Sequence, residues 1–105
     1  VGADYLEGWV EKPGSLIPGV TARTRAFGAR CVHVIAGNAP VVAVLTVIRN
    51  ALTRSDAIIK APSNDPLTSM AIARTMIDMA PDHPLTRHLS VGYWMGGDEQ
   101  VEQRI

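Results

Sequence analysis

The sequence has a single cysteine, Cys31, in 105 residues, and few aromatics: two Trp, two Tyr and one Phe. A lone thiol cannot close an internal disulfide, which excludes the paired-cysteine framework of small secreted domains and makes a reducing cytoplasm the expected setting. Excess charge of one sign is also missing, since ten Lys and Arg balance ten Asp and Glu. Nothing therefore draws the chain to a nucleic-acid backbone or an anionic membrane surface, and neither is an expected partner. Long apolar runs are absent. The most hydrophobic stretch, Ala39 to Ile48, is interrupted by Thr46 and followed by Arg49, which is too short for a bilayer span and reads as a buried helix. No basic segment leads into an apolar one at the start, so no secretory leader is expected, and a first residue that is Val1 rather than Met suggests a piece of a longer chain. The three-glycine dinucleotide fingerprint and the phosphate loop ending in Gly-Lys-Ser/Thr are both missing.

What is present is enough to fold. With 47% hydrophobic and 19% charged residues, the chain can bury a core, as one small domain or part of a larger one. Residues 1–30 carry Pro13, Pro18 and glycines at positions 2, 8, 14, 19 and 28, which break every periodic run and predict an irregular lead-in of loops and short strands. From Arg30 to Ala36 a β-branched run bounded by Gly28 and Gly37 predicts a mostly buried strand. Asn38 can cap a helix with Pro40 in its first turn, and Val41, Val44, Leu45, Ile48 and Leu52 recur at helical spacing to its end near Arg54. Residues 56–60 predict a second strand. Pro66 to Met79 predicts a helix capped by Asp65 or Ser63, with Met70, Ile72, Ala73, Met76, Ile77 and Ala80 as its apolar stripe. After a loop over residues 81–84, residues 89–94 predict a third strand, and Gly96-Gly97-Asp98 precedes a helical start at Glu99. Alternating strands and helices at this spacing predict an α/β fold of Rossmann-like βαβ units on a parallel sheet.

Open α/β sheets take ligands outside the carboxyl ends of their strands. That directs attention to Gly37-Asn38, to Lys60 through Ser63, and to Trp94 through Gly97. Gly37-Asn38-Ala39-Pro40 at one strand end, and Lys60-Ala61-Pro62-Ser63-Asn64-Asp65-Pro66 at the next, resemble two landmarks of the aldehyde dehydrogenase superfamily. The surrounding residues, His33 to Pro40 and Tyr93 to Glu99, are similar to the fatty acyl-CoA reductase branch of bacterial luminescence. The resemblance covers Cys31 to Ile105 and implies that residues 31–105 form a partial dinucleotide-binding domain. It implies that Asn38 donates its amide to an oxyanion, and that Lys60, Pro62, Ser63, Gly96 and Gly97 contact the cofactor. It further implies reduction of a long-chain acyl-CoA or acyl-protein thioester to an aldehyde, with a catalytic cysteine and a pyrophosphate-facing turn beyond Ile105. Many superfamily members carry Glu where Ser63 stands, so NADP is implied over NAD. A homo-oligomer or an acyl-transfer partner is compatible with this family.

Each residue also has a plainer role. Asn38 can be only a helix cap, Lys60 an ordinary solvated lysine, and Trp94 with Met95 either core or an adenine wall. Cys31, inside an apolar strand and without an acid or histidine partner, is expected to be a buried, inert thiol. His33, His83 and His88 lack metal-ligand spacing, so no metal site is expected. Asp98, Glu99 and Glu102 suit the first turn of a helix. Two other functions remain open: a CoA-acylating aldehyde dehydrogenase or acyl-phosphate reductase, and a non-catalytic α/β module that binds a nucleotide or partner.

Overall fold

The computed structural model describes residues 3–13, 17–37 and 39–105. Its lead-in holds a short helix α1 (Asp4–Glu7) and an antiparallel hairpin of β1 (Val10–Pro13) and β2 (Thr21–Thr24). The expected α/β pattern follows: β3 (Arg30–Val34), α2 (Val41–Leu52), β4 (Asp56–Lys60), α3 (Pro66–Met79), α4 (Pro84–Arg87), β5 (Leu89–Gly92) and α5 (Glu99–Glu102). Strands β3, β4 and β5 lie side by side in chain order, and both pairings are parallel. Helices α1 and α4, each of four residues, were not expected.

Side chains alternate across a strand, so residues paired in register share a face. Cys31, Ala57 and Leu89 form one such row, and His33, Ile59 and Val91 form the next. The His33 ring meets Asn50 of α2 at 3.2 Å, so these rows face the helices. Ala57 and Ile59 are 2% and 0% exposed there. The opposite rows, Val32 with Ile58 and Val34 with Lys60, lie on the other face, where Val32 and Val34 are exposed. The first strand is therefore not mostly buried as predicted: Cys31 and His33 are half-buried on the helix face, and the opposite face is exposed. Cys31 is half-buried rather than buried, because β3 is an edge strand.

Helix α2 also departs from expectation. Its apolar stripe of Val41, Val44, Leu45, Ile48 and Leu52 is exposed, and the face turned inward carries Ala43 and Asn50. Asn50 satisfies its amide at both ends, donating to the Ser55 carbonyl at 2.6 Å and meeting His33. The helix begins at Val41 with Pro40 at its cap position, and the predicted cap, Asn38, lies outside the described residues. In α3 the cap is Asp65, which accepts from the Thr68 amide at 3.2 Å, with Pro66 in the first turn. Buried Ser69 and half-buried Ile72, Ala73 and Met76 line its inner face, whereas Met70 and Ile77 of the predicted stripe are exposed.

Candidate functional site

At the carboxyl ends of the strands the ladders continue into the loops. The Ile35 amide donates to the Lys60 carbonyl at 3.2 Å and the Ala61 amide to the Gly92 carbonyl at 2.9 Å. These bonds bring three loops together around a cleft of about 500 Å³, whose lining includes Gly37, Lys60, Pro62, Ser63, Trp94 and Gly96. Strand alternation places Lys60 on the face away from α2, at the end of the central strand. Its ammonium sits 5.1 Å from the centre of the Trp94 ring, a cation–π contact that fixes the charge at the cleft wall. Gly96 lies beside this charge, where a Cβ would make only ordinary contact with the Lys60 nitrogen at 3.8 Å.

Among the described residues, no carboxylate lies within ion-pair distance of Lys60. The Trp94 indole nitrogen is buried without a hydrogen-bond partner among them. The cleft thus offers a positive charge with no ion-pair partner among the described residues. Beside it, hydrogen bonds from the Thr68 side chain and then its backbone hold the Asp65 carboxyl below its ordinary pKa. That keeps the α3 cap ionised.

Four of the sequence-derived cofactor residues, Lys60, Pro62, Ser63 and Gly96, line the one cleft. Gly97 does not line it; at φ 85° it forms a turn, and its amide donates to the Glu102 carboxylate at 3.2 Å. Asn38 lies outside the described residues, next to cleft-lining Gly37. Cys31 is paired with Ala57 further back along the sheet and does not line the cleft. The histidines have local partners: His33 meets Asn50, His83 accepts from the Leu85 amide at 3.2 Å, and His88 contacts Asp56. One residue without a sequence-derived role stands out. The Asn64 side chain donates to the Gly37 carbonyl at 2.8 Å, joining the first two loops.

Parallel βαβ units whose strand ends converge on a cleft with a free cation form the class of α/β module that takes ligands outside its strand ends. Residues 22–105 match the acyl-CoA reductase (LuxC) family, and the chain belongs to that family. It is 45% identical over 77 residues to a long-chain acyl-protein thioester reductase of Photorhabdus laumondii, covering 72% of this chain and 16% of the relative. Enzymes of the same name from Aliivibrio fischeri and Vibrio harveyi are 41% and 42% identical, over 70% and 67% of this chain and 16% and 15% of theirs. The chain thus spans only about a sixth of the length of these relatives. No helix among the described residues is long and apolar enough to cross a membrane.

Proposed function

We propose that the full-length protein is an aldehyde-dehydrogenase-type reductase that converts a long-chain acyl thioester to an aldehyde with NADPH, releasing the thiol and NADP. The observation that carries this reading is the convergence of Gly37, Lys60, Pro62, Ser63 and Gly96 on one strand-end cleft, with Lys60 facing no carboxylate among the described residues. A free ammonium beside a neutral serine suits a ribose phosphate, whereas a carboxylate at position 63 would grip a free 2′-hydroxyl and repel the phosphate. Lys60, Pro62, Ser63 and Gly96 are the residues that would hold the adenosine end of NADPH. When bound, that cofactor supplies the hydride. Asn38 donates its side-chain amide to the oxygen that becomes negative as a cysteine other than Cys31 attacks the thioester carbonyl. Residues 31–105 act as the partial cofactor-binding domain, in a cytoplasmic enzyme.

The family's description and the relatives' names favour acyl-CoA or an acyl-protein as thioester donor, so both belong in the test. With the full-length protein, kcat/KM for NADPH should exceed that for NADH with a long-chain acyl-CoA or acyl-protein thioester. Equal values or an NADH preference would remove the cofactor assignment, and no thioester-dependent oxidation of either would remove the reductase itself. Residues 1–105 alone should be inactive.

A further inference from the structure

We propose that Trp94 is a positioning residue for cofactor selection: its ring holds the Lys60 ammonium at the wall of the strand-end cleft, where the ammonium meets the extra phosphate of NADPH. The inference rests on the cofactor role of Lys60 proposed above. Two features of the structure carry it. The Lys60 nitrogen lies 5.1 Å from the centre of the Trp94 ring, within the range of a cation–π attraction. The ring also lies back over the end of β5: a Cβ built on Gly92 would be 3.7 Å from its Cζ3 and 3.9 Å from its Cε3. Gly92 is the register partner of Lys60 and shares its face of the sheet. A side chain longer than that of alanine at this position would contend with the ring for the space beside Lys60.

Which partner positions the other follows from how each is held. Trp94 is half-buried and its indole nitrogen is buried. It follows closely on β5, whose last carbonyl, that of Gly92, accepts from the Ala61 amide at 2.9 Å. Packing therefore fixes the ring. Lys60 is a compact charge on a flexible four-carbon stem, and no carboxylate among the described residues lies within ion-pair distance to hold it. Such a side chain loses rotamer freedom when it engages an anion, and that loss subtracts from affinity. A ring that already holds the ammonium at the cleft removes part of the loss. The benefit falls on the ligand that carries a phosphate for Lys60 to meet, hence on NADPH more than on NADH. The expected signature is a change in the ratio of the two affinities.

The test is a double-mutant cycle in the full-length protein, with Trp94→Leu, Lys60→Met and the pair, read as Kd for NADPH and for NADH by nucleotide fluorescence, with Tm alongside. Trp94→Phe is a second variant that keeps an aromatic face. Trp94→Leu should lower the preference for NADPH over NADH by about three- to ten-fold, and Trp94→Phe should retain most of that preference. In the Lys60→Met background, Trp94→Leu should change the ratio no further. If Lys60→Met lowers the ratio but Trp94→Leu leaves it alone or acts independently, the positioning proposal falls and the cofactor reading stands. Equal weakening of both cofactors by Trp94→Leu, with or without Lys60, would mean that the ring touches the cofactor itself and would overturn the proposal. A Trp94→Phe variant no better than Trp94→Leu would overturn it too, because the aromatic face would then not matter. Loss of cooperative melting in both Trp94 variants would replace it with a folding role. If Lys60→Met leaves the ratio unchanged, the cofactor role of Lys60 falls and the role of Trp94 falls with it.

Discussion

The two ends of the parallel sheet differ in a way that cavity size conceals. At the amino ends lies the larger hollow, about 810 Å³, bordered by Asn50, Ser55, Asp56 and His88 among others. There the polar groups satisfy one another: Asn50 bridges His33 and the Ser55 carbonyl, the Ser55 hydroxyl accepts from the Ala29 amide at 3.1 Å, and Asp56 contacts His88. At the carboxyl ends the cleft is about 500 Å³, yet it keeps a cation with no carboxylate partner among the described residues. Groups already paired have little left for a ligand, whereas unpaired groups lose less by turning to one. The smaller, less satisfied end is therefore the better candidate for binding, and the larger end is built for holding the sheet to its helices.

The sharpest way to break this contrast is Lys60→Met in the full-length protein, which keeps an unbranched side chain against Trp94 and removes the charge. Affinity for NADPH should fall by about ten- to a hundred-fold, the worth of a charge-assisted contact, with a smaller loss for NADH. Equal losses for both cofactors, measured by fluorescence titration, would mean that Lys60 does not face the 2′-phosphate. At the opposite end, Asn50→Ala should cost about 1–3 kcal/mol of stability by orphaning the Ser55 carbonyl and the His33 ring, while turnover per folded enzyme is unchanged. A fall in kcat without a fall in denaturation midpoint would erase the distinction between the two ends. The smallest effect belongs to Asp65→Ala. Because the folded carboxyl has its pKa lowered by Thr68, its stabilisation is fully present above the ordinary carboxyl pKa and is lost as pH falls below that value towards the lowered one. The Tm difference between the original and Asp65→Ala should therefore be present at neutral pH and shrink in acid; a difference independent of pH would show that the charge is not what matters.

Legibility in the sequence followed the range over which each signal acts. The run Asp56–Lys60 and the cap and proline before α3 gave their elements correctly, because β-branching and capping are local chemistry. Helices α1 and α4 carry too few residues to show a period. The error at α2 is more instructive. Periodicity identified its apolar stripe, but the buried positions are Ala43 and Asn50, and Asn50 is held there by bonds to the Ser55 carbonyl and to His33 that no apolar period reveals. Strand-end placement brought Lys60, Pro62, Ser63 and Gly96 to one cleft as their spacing implied. The Asn64 bond to Gly37 and the stacking of Lys60 on Trp94 join separate loops, and no local pattern announces such contacts.

The parallel order of β3, β4 and β5 also sets the timing of assembly. The β1–β2 hairpin pairs residues as few as eight positions apart, Pro13 with Thr21, but Arg30 meets Asp56 only after the whole of α2 has been made, and Lys60 meets Gly92 only after α3 and α4. Non-local pairing of this kind is slow, because chain closure must precede the contacts that reward it. On the ribosome, β4 must therefore wait with one edge unsealed, presenting the backbone around Ile58 and Ile59 to any neighbouring chain until Leu89 to Gly92 emerge.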